Sequence, residues 1–273
     1  MLEPRNGEDA VTLVHPSGSS ARVTYHGAHV VSWIDAGGQE RLYLSSRARF
    51  GPGQAIRGGI PVIFPQFGIG PLPKHGFLRT RRWSLVTHLA SSATFRITDD
   101  DETRALWPYP FIAELTVNLA DMLTVSLRIA NSGDSPFSFS AALHNYLAVT
   151  DVKRSAVRGL SGLVYVDKMA AGARCVEEAG ELHLNGETDR IYTAGPRQVT
   201  IAPAIGSSST VIGADGFGDW VVWNPWREGS ASLSDMEPED FVGMLCVEAA
   251  RISDQVVLDP GAAWSGTEVI GAT

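Results

Sequence analysis

The residues best suited to chemistry are polar side chains that interrupt apolar strands. His144 lies in Ala141-Ala142-Leu143-His144-Asn145-Tyr146-Leu147, where a half-buried strand more often carries Thr or Val. Glu248 ends the apolar run Gly243–Val247, and a carboxylate there needs a partner or a purpose. Asp189 reads as part of a polar turn before Ile191-Tyr192. An imidazole can donate a proton near neutral pH while a carboxylate removes one, so His144 and Glu248 together suggest acid–base work. Each residue also has a plain structural reading. His144 suits a satisfied core histidine, Glu248 an ion pair with Arg251, and Asp189 a residue bonding its own turn.

A second group surrounds them with charge. Between Gln54 and Trp83, Ile60-Pro61, Phe64-Pro65 and Gly70-Pro71-Leu72-Pro73 punctuate the short apolar run Val62-Ile63-Phe64. Proline removes a donor and fixes its backbone angle, so this stretch is neither mid-helix nor central strand. Gly58-Gly59 lets the backbone approach something closely. Arg57, Lys74, His75, Arg79, Arg81 and Arg82 decorate it. An ordered loop of Pro, Gly and cations is a place to hold a small anion, although a solvated surface loop has the same composition. The chain carries a net charge of −8, so these cations form a local patch suited to a small anion rather than to nucleic acid.

The elements that must position these residues read as β throughout. Val11–Val14 and Ala21–Tyr25 flank a Pro16-Ser17-Gly18 turn. Phe111–Leu119 and Leu123–Ala130 alternate apolar and polar with period two, the pattern of a hairpin with one buried face. Pro136–Val149 reads as one long strand carrying His144, and Trp220–Trp223, Met244–Val247 and Gln255–Leu258 as further strands. Asp99–Glu102 reads as a solvated acidic tip and Met169–Gly180 as weakly helical or less ordered. His26 and His29 read as turn residues, since His-x-x-His without other ligands is weak evidence for metal. No helical stripe spans three turns and no βαβ alternation occurs, which disfavours a parallel-sheet enzyme. The expected fold is all-β: one large antiparallel sandwich domain over residues 1–273.

No nucleophile elbow, phosphate-binding Gly-rich loop or Cys/His metal spacing occurs. No window approaches the roughly 18 apolar residues of a membrane span. The polar start MLEPRNGEDA lacks the features of a signal peptide, and two distant cysteines, Cys175 and Cys246, need no disulfide. The expectation is a cytoplasmic protein without contacts to membrane or nucleic acid.

Three sets of motifs then carry a resemblance. The first is Arg57-Gly58-Gly59-Ile60-Pro61 with Phe64-Pro65-Gln66-Phe67-Gly68, and the second His75-Gly76-Phe77-Leu78-Arg79 with Trp83. The third follows in order as Leu143-His144-Asn145-Tyr146, Thr188–Tyr192, Val222-Trp223-Asn224-Pro225 and Cys246-Val247-Glu248. With these the chain resembles the glucose-6-phosphate 1-epimerases, or hexose-6-phosphate mutarotases, of the aldose 1-epimerase (galactose mutarotase-like) superfamily. The resemblance implies a β-supersandwich, no cofactor or metal, a monomer, and a small phosphosugar substrate. It implies His144 as catalytic acid and Glu248 as catalytic base, with Arg57, Lys74, His75, Arg79 and Asp189 binding substrate. An aldose 1-epimerase for unphosphorylated sugars and a catalytically silent carbohydrate-binding domain are the competing readings.

Overall fold

The computed structural model describes residues 9–203 and 208–273; the acidic start at residues 1–8 lies outside the described residues. Among the described residues the chain forms three sheets of three, eight and nine strands, and every pairing between the strands that the site uses is antiparallel. The expected all-β antiparallel sandwich is the fold observed.

Period-two burial assembles the nine-stranded sheet. In Phe111–Leu119 alternate residues are buried, and the strand pairs with Leu123–Asn131 in the expected hairpin, closing at Leu119 opposite Leu123. Their inward side chains, including Leu115, Val117, Val125 and Leu127, join one continuous core with side chains from the eight-stranded sheet. Each fully buried side chain of this kind contributes roughly 1.5–3 kcal/mol relative to exposure.

The eight-stranded sheet carries the cleft. Its order is Ala173–Val176, Val164–Asp167, Thr188–Tyr192, Asp219–Asn224, Met244–Leu258, Phe137–Leu143 and Val62–Ile63, with Tyr146–Ala148 also paired to Met244–Leu258. Along Met244–Leu258, Leu245, Val247 and Ala249 face the shared core. Met244 and Cys246 face the other way and pack with Tyr146 and Met236. Side chains alternate across a strand, so Glu248 falls on that outer face.

Several local expectations change. The acidic tip is the start of a short helix, Asp101–Leu106, because Asp100 and Thr103 form a reciprocal capping box. Lys168–Ala170 is a single 3-10 turn, followed by the strand Ala173–Val176 rather than a weak helix. Asp189 sits inside the strand Thr188–Tyr192, not in the turn before it. Gln255–Leu258 continues Met244–Leu258 past an irregularity after Arg251, where the Asp219 carboxylate accepts the Ile252 and Ser253 N–H groups at 2.7 Å each. The long strand expected over Pro136–Val149 breaks at His144-Asn145.

Candidate active site

That break makes the site. Leu143 pairs with Ala249 and Tyr146 with Cys246, so His144 and Asn145 leave the ladder opposite Glu248 and Val247. The freed backbone is held by the proline-rich loop instead: the His144 N–H donates to Pro61 O at 3.0 Å and the Tyr146 N–H to Gly59 O at 2.9 Å. Across the sheet, Asp189, Trp223, Cys246 and Tyr146 pair in one row, and Ile191, Val221 and Glu248 in the next. Opposed residues share a face, and all of these but Cys246 line a cleft of about 450 Å³.

Two groups capable of proton transfer meet in that cleft. His144 Nε2 lies 3.4 Å from Glu248 Oε1, and both side chains are buried. The imidazole stacks on the Tyr146 ring at 4.8 Å and 7°, and its edge meets Trp223 and His75. Burial holds the Glu248 carboxyl well above its ordinary range, and Asp189 adds to that shift. Burial, His75 and two guanidiniums hold the His144 imidazole well below its ordinary range. Both shifts favour the uncharged form of the pair, a carboxylic acid beside a neutral imidazole. The working distribution, carboxylate beside imidazolium, differs only by moving the acid's proton across the 3.4 Å contact. Arg251 takes no part, because it pairs with Asp254 and projects from the other face.

The cations of the loop divide into two sets. Arg57, Lys74 and Arg79 line the cleft with His75. Arg81 instead pairs with Glu102, and Arg82 pairs with Asp9 and stacks on Tyr25, so neither reaches the cleft. Arg57 is held from behind by Asp235 at 3.2 Å and by the Tyr146 hydroxyl at 2.8 Å. Arg79 donates to Lys74 O at 2.9 Å, while its buried Nε has no partner. Arg79 lines the cleft, and a guanidinium there is suited to an anionic ligand. Neighbouring Arg57 and Arg79, after burial itself, lower the Lys74 amine, as expected where positive charge is concentrated.

The loop keeps this shape by close backbone contact. His26 Nε2 bonds Gln54 O at 2.6 Å and His29 Nε2 bonds Gly58 O at 2.7 Å, so the two histidines pin both sides of Arg57. His29 is thus buried and structural beside the Gly27-Ala28 turn, and burial lowers it to about 3. Gly59 has φ +61°, and a Cβ there would stand 2.2 Å from Val30 O and 2.7 Å from His29 Nε2. Gly59→Ala is expected to destabilise the fold by more than about 2 kcal/mol, measured by urea unfolding, because strain and overlap combine. At the other end a Cβ on Gly76 would meet Phe64 O at 2.0 Å. This close return carries His75 back over His144. His75 Nδ1 accepts the Gly68 N–H at 3.3 Å, and burial with neighbouring cations pushes the ring down to about 2. The ring is neutral with its hydrogen on Nε2, a donor on the cleft wall.

All seven residues singled out from the sequence line this one cleft. The structure adds Lys168, whose Nζ lies 3.2 Å from Asp189 Oδ1 and 5.0 Å from the centre of the Phe67 ring. Lys168 adjoins the Met169–Gly180 stretch, which reads as weakly helical or less ordered, and no periodicity marks it. Tyr146 and Trp223, which pack around His144, are residues of the quoted motifs and were legible only as such. Among the described residues, no group of three or more His, Cys, Asp and Glu side chains is placed to hold a metal ion.

Comparison with known proteins gives a consistent picture. The family model described as aldose 1-epimerase matches residues 9–271. A protein of Cenchrus ciliaris, provisionally named glucose-6-phosphate 1-epimerase, is 32% identical over 286 residues, covering 100% of this chain and 87% of that protein. One of Escherichia coli K12 with the same provisional name is 32% identical over 253 residues, covering 90% and 84%. A Salmonella typhimurium crystal structure, provisionally described as a mutarotase, superposes with a TM-score of 0.86 at 26% identity, covering 97% of this chain and 92% of that one.

Proposed function

The chain belongs to the aldose 1-epimerase family, and from that premise we propose that it interconverts the α and β anomers of a hexose 6-phosphate, glucose 6-phosphate foremost. The observation that carries the reading is the His144–Glu248 contact of 3.4 Å on the floor of a cleft walled by Arg57, Lys74 and Arg79. In an aldopyranose the anomeric hydroxyl oxygen and the ring oxygen are both bonded to C1. An acid and a base that serve them must therefore lie side by side, and His144 and Glu248 do.

The reaction follows from those positions. Glu248, as carboxylate, takes the proton of the anomeric hydroxyl while His144, as imidazolium, protonates the ring oxygen. The C1–O5 bond breaks and C1 becomes an aldehyde. Rotation about C1–C2 presents the other carbonyl face, and the ring oxygen closes on it. The same two groups return the protons in reverse, so the pair ends as it began. Each proton transfer is typically worth about 10²–10⁴-fold. Asp189 accepts a sugar hydroxyl, held in place by Lys168, and the His75 Nε2–H donates to another sugar oxygen.

Charge assigns the substrate class. Arg57, Lys74, Arg79 and Lys168 face Asp189 and Asp235, while burial disfavours a charge on Glu248. The four cations exceed the two carboxylates by two, which suits a phosphate monoester carrying close to two negative charges. A neutral sugar offers the Arg57 and Arg79 guanidiniums nothing to neutralise. We assign Arg57, Lys74 and Arg79 to the phosphate. Polarimetry of freshly dissolved pure anomers tests this. Glucose 6-phosphate is expected to equilibrate faster in proportion to enzyme, and glucose and galactose to remain near their spontaneous rates. Equal acceleration of all three would overturn the assignment to phosphosugars.

The shared proton makes a second prediction. Activity requires one proton on the pair, so kcat falls when a second is added and when the last is lost. Adding the second means charging a buried, lowered His144, and losing the last means ionising a raised Glu248. The acid limb is thus expected below the ordinary imidazole range of about 6.5, and the alkaline limb far above the ordinary carboxylate range of about 4.3. A pH profile of kcat at saturating glucose 6-phosphate, free of the unbound phosphate's own ionisation, with an acid limb near the ordinary imidazole value would contradict the shared-proton assignment.

A further inference from the structure

One buried titratable group has no place in this reaction. Glu268 lies on Ala263–Ala272 in the nine-stranded sheet, fully buried, and its strand neighbours by register are Val125 and Ala214. Its Oε1 accepts a hydrogen bond from Asn145 Nδ2, a residue of the opposite sheet. The same Nδ2 donates to Val247 O at 3.0 Å, which fixes the orientation of the amide because a carbonyl can only accept. Asn145 follows His144 in the chain, and Val247 precedes Glu248. One amide group therefore ties the backbone beside the acid to the backbone beside the base, at the point where the ladder between their strands is broken. Glu268 occupies the remaining hydrogen of that amide from across the core.

We propose that Asn145 and Glu268 are positioning residues that hold His144 and Glu248 in register from the core side of the cleft. Local features agree. Among the described residues Glu268 has no ion-pair partner, and burial pushes its carboxyl up to about 8, so at neutral pH it is an uncharged acid. Asn145 Oδ1 and Glu268 Oε2 are both buried and without partners, one an acceptor and the other able to carry the acid's hydrogen. An uncharged acid can serve the amide without setting a negative charge behind Glu248. Were it ionised, it would raise the Glu248 carboxyl further and oppose the base.

The inference rests on the acid–base reading of His144 and Glu248, and the test separates the two. Glu268→Gln keeps an acceptor for the amide, Glu268→Leu removes it at similar volume, and Asn145→Ala removes the tie itself. In folded protein, Glu268→Gln is expected to stay within about threefold of wild-type kcat. Glu268→Leu and Asn145→Ala are expected to lose kcat by up to about 10²-fold while KM for glucose 6-phosphate stays nearly constant. In parallel, the ring ¹⁵N signals of His144 in the ligand-free protein report the Glu248 contact without any substrate. They are expected to move in Glu268→Leu and Asn145→Ala and to hold in Glu268→Gln. Unchanged kcat and ¹⁵N signals in either disruptive variant would overturn the proposal. If one of the two does not fold, the other carries the test. Failure of both to fold would also overturn it, since the tie would then serve the fold and not the site. Turnover that survives Glu248→Gln would instead sink the acid–base reading.

Discussion

Replacing Glu248 by Gln is expected to lower kcat for anomer exchange by about 10²–10⁴-fold with little change in KM. The amide has nearly the same shape, so the row Ile191, Val221 and residue 248 keeps its place on the cleft floor. What is lost is the carboxyl group that can exchange a proton with His144 across 3.4 Å. Burial makes the loss hard to rescue, because no water-exposed carboxylate replaces a base enclosed by Val221, Trp223 and the loop. A stopped assay that compares both enzymes above the spontaneous rate checks the prediction. Full activity in the variant would show that Glu248 is not the base. A loss confined to KM would give it a binding role instead.

The second large effect concerns the phosphate. Arg79→Met is expected to reduce kcat/KM for glucose 6-phosphate by about 10–100-fold, the range of a hydrogen bond to a charged group. Rates with unphosphorylated glucose should not fall. Arg79 is the better choice than Arg57, whose removal would strand the Asp235 carboxylate and the Tyr146 hydroxyl and so confuse binding with stability. Methionine keeps much of the apolar stem packed while deleting the partnerless Nε and its charge. Parallel losses with phosphorylated and free sugars would mean that Arg79 shapes the cleft rather than recognising phosphate.

Much of this architecture is legible in the sequence. Period-two alternation located the Phe111–Leu119 hairpin to its turn, because one face of an antiparallel pair is buried and the other is not. Elements that rely on local side-chain bonding were less visible. The Asp101–Leu106 helix is too short for an apolar stripe and depends on one capping box. Asp189 looked like a turn residue because a strand facing a polar cleft does not show the hydrophobic pattern of a strand facing the core. The break at His144-Asn145 was hidden for the opposite reason. Its flanks, Leu143 and Tyr146, remain buried, so the pattern runs through the interruption. His144 and Glu248 could be singled out as polar residues in apolar runs, and their role came from resemblance. Only the fold brings them to 3.4 Å, through a register set between strands about one hundred residues apart in the chain. Lys168 and Glu268 carried no such mark. One sits in an irregular segment, and the other occupies an ordinary alternating position of the strand Ala263–Ala272.

The most direct measurement is proton NMR of glucose 6-phosphate in D₂O with the enzyme, following magnetisation transfer between the α and β H1 signals. Ring opening by His144 and Glu248 breaks only the C1–O5 bond and moves protons between oxygens and the pair. The account therefore predicts exchange between anomers that rises with enzyme concentration, with the hydrogens on C1 and C2 retained. The same cleft residues could in principle remove a carbon-bound proton, and deuterium appearing at C2 would show that they do. Either that result, or exchange no faster than in the protein's absence, would contradict the central claim.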